Sequence, residues 1–129
     1  MADVSGKYIL IVDDDEDIRT AIETALQELG EVEIATSGNG NEAVDLINDR
    51  PPDLLVLDQM LPGRSGFLVL EKIKQVRSES GKPPVIMITA NPGQRHKMYA
   101  QTLGVDTYLN KPFRMEKLIS SAKDLLSQS

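Results

Sequence analysis

Short runs of branched aliphatic residues recur along the chain, separated by longer stretches whose apolar residues fall at helical spacing. Such alternation predicts βαβ units wound around a parallel sheet. From the amino terminus, the pattern predicts a strand over Tyr8 to Asp13, then a helix carrying Ile18, Ile22, Ala25, Leu26 and Leu29 that ends at a capping Gly30. A second strand over Val32 to Thr36 turns through Ser37-Gly38-Asn39-Gly40 into a helix with Ala43, Leu46 and Ile47, which stops before Pro51-Pro52. The third strand, Asp53 to Leu57, precedes the loop Met60-Leu61-Pro62-Gly63 and a helix through Phe67, Leu70 and Ile73 that reaches a Ser-rich turn near Ser78 to Gly81. Strand four spans Pro84 to Thr89, and Asn91-Pro92 fits an N-cap with proline at the first position of a helix running to Leu103. After Gly104 come a short strand, Asp106 to Leu109, and a last helix, Arg114 to Ser129, with Leu118, Ile119, Ala122, Leu125 and Leu126 on one face.

Five strands and five helices leave no segment for a second domain. Short right-handed connections place helices on both faces of such a sheet, so the expected fold is α/β: a (βα)5 flavodoxin-like, doubly wound parallel five-stranded sheet of order 2-1-3-4-5. In that order strands one, three, four and five are contiguous, and their carboxyl ends carry Asp13-Asp14, Asp58, Thr89 and Lys111. Strand two ends in nothing chemically distinctive. Open α/β sheets bind ligands at that edge, and an aliphatic run broken abruptly by Asp is how a buried parallel strand opens into a site.

The chain has 129 residues, 40% of them hydrophobic, enough for one self-sufficient core. We expect residues 1–6 to form a flexible tail and 7–127 the domain. With no Cys, disulfides, thiolate metal sites and Cys nucleophiles are excluded, and a reducing, cytoplasmic setting is the simplest expectation. No apolar run is long enough to cross a bilayer, and Met1 to Lys7 lacks the build of a signal peptide. A net charge of -6 repels a phosphate backbone, so neither membrane nor direct nucleic-acid binding is expected.

Charge dictates the chemistry of the four strand ends. Carboxylates brought together repel, and a hard divalent cation with oxygen ligands relieves them, which suits Mg2+ and, as a second choice, Mn2+. One carboxylate can then attack a phosphoryl group and form an acyl phosphate. Asp58 ends the most central acidic strand and is the expected nucleophile; Asp13 and Asp14, being paired, are better placed to hold metal. Lys111 supplies a point charge and Thr89 a hydroxyl donor to the phosphoryl oxygens.

Together, Ile9 to Asp14, Leu57-Asp58-Gln59-Met60-Leu61-Pro62 with Gly66, Ile88-Thr89-Ala90 and Lys111-Pro112-Phe113 resemble the receiver domain of two-component response regulators, in its single-domain form, from Lys7 onward. The resemblance implies that Asp58 accepts phosphoryl from a histidine kinase or a histidine phosphotransfer protein. It implies Mg2+ held by Asp14 and Asp58 directly, by Asp13 through water, and by the backbone carbonyl of Met60. It also implies a cis Lys111-Pro112 peptide, Thr89 and Tyr108 as a switch pair, and an output face of helix four, strand five and helix five that regulates a downstream protein. By the same likeness the chain is a signalling phosphoacceptor that promotes its own phosphorylation and dephosphorylation, not an enzyme acting on a separate substrate. A monomer or a weak phosphorylation-dependent dimer is implied. Thr107 stands where dimerising, DNA-binding members usually have Asp, and the last helix lacks their basic run. The chain stops where an effector domain would begin, as a single-domain regulator or a receiver cut from a longer one would.

Taken singly, each signal has a plainer account: Asp13 to Asp17 capping a helix, Thr89 as a strand residue, Lys111 as a surface charge, Tyr108 as a half-buried strand aromatic, and His96 as an exposed helix residue with no catalytic role. Among competing functions, Asp13-Asp14-Asp15 contains the Asp-x-Asp of haloacid-dehalogenase phosphatases, but that account leaves Asp58 unused and lacks an enclosing cap. A calcium loop from Asp13 fails at Ile18 and Thr24, where its turn glycine and closing glutamate belong. A flavin phosphate would meet five acids after strand one. A pseudo-receiver serving as a constitutive binding module is the remaining alternative.

Overall fold

The computed structural model describes residues 4–75, 83–90 and 93–127. Five parallel strands, β1 (Tyr8–Val12), β2 (Glu33–Ser37), β3 (Leu54–Asp58), β4 (Val85–Thr89) and β5 (Thr107–Asn110), pair in the order β2-β1-β3-β4-β5. Between and after them run α1 (Glu16–Leu26), α2 (Gly40–Asp49), α3 (Gly66–Gln75), α4 (Gln94–Thr102) and α5 (Met115–Ser127). The order and the (βα)5 winding are those the sequence predicts.

Strand composition explains which strands are central. Every residue of β1, β3 and β4 is buried, whereas β2 and β5 are partly exposed, as edge strands must be. Alternation within the strands divides the core in two. Leu10, Val12, Leu55, Leu57, Val85 and Met87 pack against α2, α3 and α4 through Ala43, Ile47, Val69, Ile73 and Ala100. Ile9, Ile11, Leu54, Val56, Ile86 and Ile88 face the opposite way, onto α1 and α5 through Ile22, Leu26, Leu118, Ala122 and Leu126. With period two, one strand of unbroken aliphatics fills both layers.

The strand boundaries differ from expectation by single residues, and the first helix ends earlier than expected. Asp53 and Asp106 lie just outside their strands because each carboxylate accepts the first backbone N–H of a neighbouring strand, from Tyr8 and Val85, both at 2.8 Å. The first helix keeps α geometry only to Leu26; a 3-10 turn over Gln27–Leu29 tightens its end before Gly30, whose φ of 120° suits glycine. Helix α4 starts one residue after Gly93, while Asn91-Pro92 and the turn near Ser78 to Gly81 lie outside the described residues.

The expected tail over residues 1–6 needs correction at its inner half. Val4 is buried in the α1–α5 layer, and the Gly6 N–H donates to the Glu31 carbonyl at 2.8 Å. Burial of the Val4 side chain and the Gly6 hydrogen bond both offset the entropy lost when this segment is ordered.

Candidate functional site

Strand register carries the acids to one place. Val12 pairs with Leu57, so Asp13, one step on, arrives beside Asp58. The Asp13 backbone N–H donates to the Ser37 carbonyl at 3.0 Å, and its carbonyl accepts from the Arg19 guanidinium at 2.7 Å. Asp13 is thus clamped by β2 on one side and α1 on the other. Its Oδ1 accepts the Asp15 N–H at 2.9 Å, and Asp15 in turn caps α1 through the N–H groups of Asp17 and Ile18. The acidic run therefore serves both as helix cap and as site, the cap being Asp15 alone.

Asp13, Asp14 and Asp58 each offer a carboxylate oxygen, and these atoms lie within 4.8 Å of one another. Asp13 and Asp58 are buried and Asp14 is exposed, so the cluster opens to solvent on the Asp14 side. Lys111 Nζ stands 3.3 Å from Asp13 Oδ2 and 3.6 Å from Asp58 Oδ2. Burial, reinforced by the charge of Asp13, pushes the Asp58 carboxyl up to about 6; Lys111 and the Met60 N–H, 3.4 Å from Oδ1, oppose the shift without cancelling it. For Lys111 burial works against the charged form, but Asp58 and Asp13 outweigh it and hold the ammonium above its usual value. One ammonium among three carboxylates leaves an excess of negative charge. Each carboxylate pair at such spacing repels by roughly 3 kcal/mol at an effective dielectric of about 20. An all-oxygen, anionic donor set open to water on one side fits a hard divalent cation.

Thr89 ends β4 fully buried, and its carbonyl accepts the Lys111 N–H at 2.7 Å, which fixes the start of the Lys111 segment beside the acids. The Lys111–Pro112 peptide bond is cis. Tyr108, in β5, is half-buried; burial raises its phenol, and the Thr89 side chain, hydrogen-bonded to it, pulls the other way. The Met60 side chain is 62% exposed beside the cluster. Gly66 lets the following helix begin against β3: a Cβ there would lie 2.5 Å from the Asp58 carbonyl oxygen and 2.9 Å from Gln59 Cα.

Asp13, Asp14, Asp58, Thr89 and Lys111 thus gather at one sheet edge, and Tyr108 lies in β5 two positions before its last residue, Asn110. Three participants carry no signal in the chain pattern. Arg19 acts on Asp13 by donating to its backbone carbonyl, and Ser37 meets the Asp13 N–H only through its own carbonyl, a contact any residue there would make. His96, expected to be exposed, is instead half-buried: its ring stacks on Phe67 with centroids 6.0 Å apart, and its Nδ1 lies 3.3 Å from the Gln59 carboxamide nitrogen. Gln59 itself is buried.

Fold and cluster together define a flavodoxin-like α/β domain with an acidic, lysine-bearing site at the carboxyl edge of its sheet. The sequence profile of the response regulator receiver domain matches residues 9–123. The phosphate regulon transcriptional regulatory protein PhoB of Pseudomonas aeruginosa is 39% identical over 125 residues, covering 96% of this chain and 53% of PhoB. This chain therefore spans about half the length of that relative. Among solved structures, the receiver domain of the Francisella response regulator 1452 is 30% identical with a TM-score of 0.85, over 95% of this chain and 98% of that one. The receiver domain of the sensor histidine kinase PA1611 of Pseudomonas aeruginosa PAO1, which has a magnesium ion coordinated in its active-site cleft, is 28% identical with a TM-score of 0.81, over 95% and 98%. The chain belongs to the response regulator receiver domain family of two-component systems. Among the described residues no helix is long and apolar enough to cross a membrane.

Proposed function

We propose that this receiver domain is a phosphoacceptor switch: Asp58 takes a phosphoryl group from the histidine of a kinase or phosphotransfer protein, and the modified domain regulates a downstream protein. The observation that carries this is the bridge from Lys111 Nζ to both Asp13 and Asp58 within a cluster of three carboxylates. Asp58 ends the strand flanked by β1 and β4, so its oxygens meet groups delivered by strands on either side.

Asp14, Asp58 and the Met60 carbonyl would hold Mg2+, or Mn2+, with Asp13 contributing through water. The ion supplies charge neutralisation for the phosphoryl oxygens. Asp58 attacks phosphorus in line, forming an Oδ–P bond as the N–P bond to the donor histidine breaks; the electron pair stays on the imidazole, which takes up a proton. Lys111, already drawn toward Asp58 at 3.6 Å, follows the charge onto the phosphoryl group, and the Thr89 hydroxyl donates to another of its oxygens. Thr89 is hydrogen-bonded to Tyr108, so its recruitment alters what holds that ring, and the face formed by α4, β5 and α5 changes with it. The domain promotes its own phosphoryl transfer and loss; it does not turn over a separate substrate.

The test is intact mass after incubation with acetyl phosphate or phosphoramidate, in Mg2+ or in EDTA, for wild type and Asp58→Asn. We expect a gain of one phosphoryl group in wild type with Mg2+ and none in EDTA or in the variant. Uptake by Asp58→Asn equal to wild type would overturn the assignment, and no uptake in the presence of bound Mg2+ would favour a receiver that demands its cognate kinase or a pseudo-receiver used for constitutive binding.

A further inference from the structure

Gln59 follows Asp58 directly, is buried, and is held at every polar group it has. Its backbone N–H donates to the Ile88 carbonyl and its carbonyl accepts the Gly66 N–H, both at 2.9 Å. Its carboxamide spans two elements: Nε2 lies 3.3 Å from His96 Nδ1 in α4, and Oε1 accepts from the Tyr108 hydroxyl of β5 at 3.4 Å. An amide has one donor end and one acceptor end, so the two contacts are not independent. With Oε1 engaged by the Tyr108 O–H, Nε2 donates to His96, whose Nδ1 must then present a lone pair and carry its proton on Nε2; this tautomer is assigned from the hydrogen-bond network. Beyond His96 the contacts continue through stacked Phe67, whose ring meets Tyr99 edge-on at 5.0 Å, to the Tyr99 hydroxyl that donates to Glu71 at 2.5 Å.

We infer that Gln59 is a positioning residue of the switch: its carboxamide ties Tyr108 to His96, so that a displacement at Asp58 reaches β5 and α4 as one movement. This rests on the phosphoacceptor role proposed for Asp58. The physical basis is that Gln59 has no slack. Its backbone is fastened to β4 and to the first residue of α3, and its side chain cannot turn without breaking both of its contacts or reversing the donor and acceptor roles of each. Tyr108 is thereby coupled to the site through two routes, the Thr89 hydroxyl and the Gln59 amide. The second route also carries α4, through a histidine that is the single one in the chain.

The test uses the full chain labelled with 3-fluorotyrosine and read by 19F NMR, with the Tyr108 resonance assigned by Tyr108→Phe. Spectra are taken at rest and with beryllofluoride plus Mg2+, and phosphoryl uptake from acetyl phosphate is followed separately by intact mass. Gln59→Met removes both polar ends at similar length. His96→Phe keeps the stack on Phe67 and removes the ring nitrogens, while His96→Asn restores an acceptor near the position of Nδ1. We expect Gln59→Met and His96→Phe to shift the resting Tyr108 resonance and to shrink its response to beryllofluoride, with phosphoryl uptake retained, and His96→Asn to return both toward wild type. A Tyr108 resonance unchanged in Gln59→Met and His96→Phe would overturn the inference, as would a shift that His96→Asn fails to reverse. Failure of the phosphoacceptor role would show instead as absent uptake in wild type, and the resting spectra read the Gln59 tie without any phosphoryl group.

Discussion

A carboxylate at the end of a buried strand costs stability until something binds it, and Asp58 is that carboxylate here. Its carboxyl is pushed up from 3.8 to about 6 by burial and by Asp13. The native chain therefore binds this proton more tightly than the unfolded chain does, and the contribution is favourable at low pH and lost as pH rises through the window from about 4 to about 6. Asp58→Asn removes the ionising group. We expect the variant to be more stable than wild type by about 1–2 kcal/mol at pH 7.5, less than the shift alone implies because Lys111 loses one of its two partners, with the gap closing below about pH 4. Urea unfolding of both proteins across pH checks this; a variant less stable than wild type at pH 7.5 would contradict it. At this scale the acids, Lys111 and Thr89 were legible because each interrupts or follows an aliphatic run. Gln59 and His96 were not, because their roles arise from a contact between elements distant in sequence, 37 positions apart, and Arg19 was not, because it reaches a backbone carbonyl that every residue carries.

Elements supply the accuracy that single residues lack. The strands emerge from the sequence because their composition fills two core layers at once, and their ends shift by one residue where a side chain, as at Asp53 and Asp106, takes over a backbone partner. The junction from β3 to α3 is the least forgiving connection. Gly66 sits against the backbone of Asp58 and Gln59, and a methyl group there meets main-chain atoms that cannot swing aside. We expect Gly66→Ala to cost about 1–3 kcal/mol and to slow phosphoryl uptake, since the atoms displaced belong to the acceptor strand itself. Thermal unfolding together with the uptake rate checks this, and an unchanged rate would show that the junction does not position Asp58. The glycine stood out in the sequence as part of a motif, but its physical reason needed the helix packed on the strand.

Over the whole molecule, the sheet acts as a two-sided partition with its chemistry on one rim. Helices α1 and α5 cover one face and α2, α3 and α4 the other, while β4 and β5 carry Thr89 and Tyr108 from the acids toward α4 and α5. The strand order expected from the sequence already placed Asp13, Asp58, Thr89 and Lys111 at one edge, because 2-1-3-4-5 is a common winding with short right-handed connections, and the structure has it. The inner end of the tail was misjudged for the opposite reason: nothing in a short stretch without periodicity reveals that Val4 reaches a core layer built from remote strands and helices. Of the three clustered carboxylates, we propose that Asp58 alone becomes an acyl phosphate. Borohydride reduction of the phosphorylated domain, which converts an aspartyl phosphate to homoserine, followed by peptide mass mapping, tests it most directly. We expect homoserine at position 58 with Asp13 and Asp14 intact; homoserine at 13 or 14, with Asp58 unmodified, would overturn the assignment.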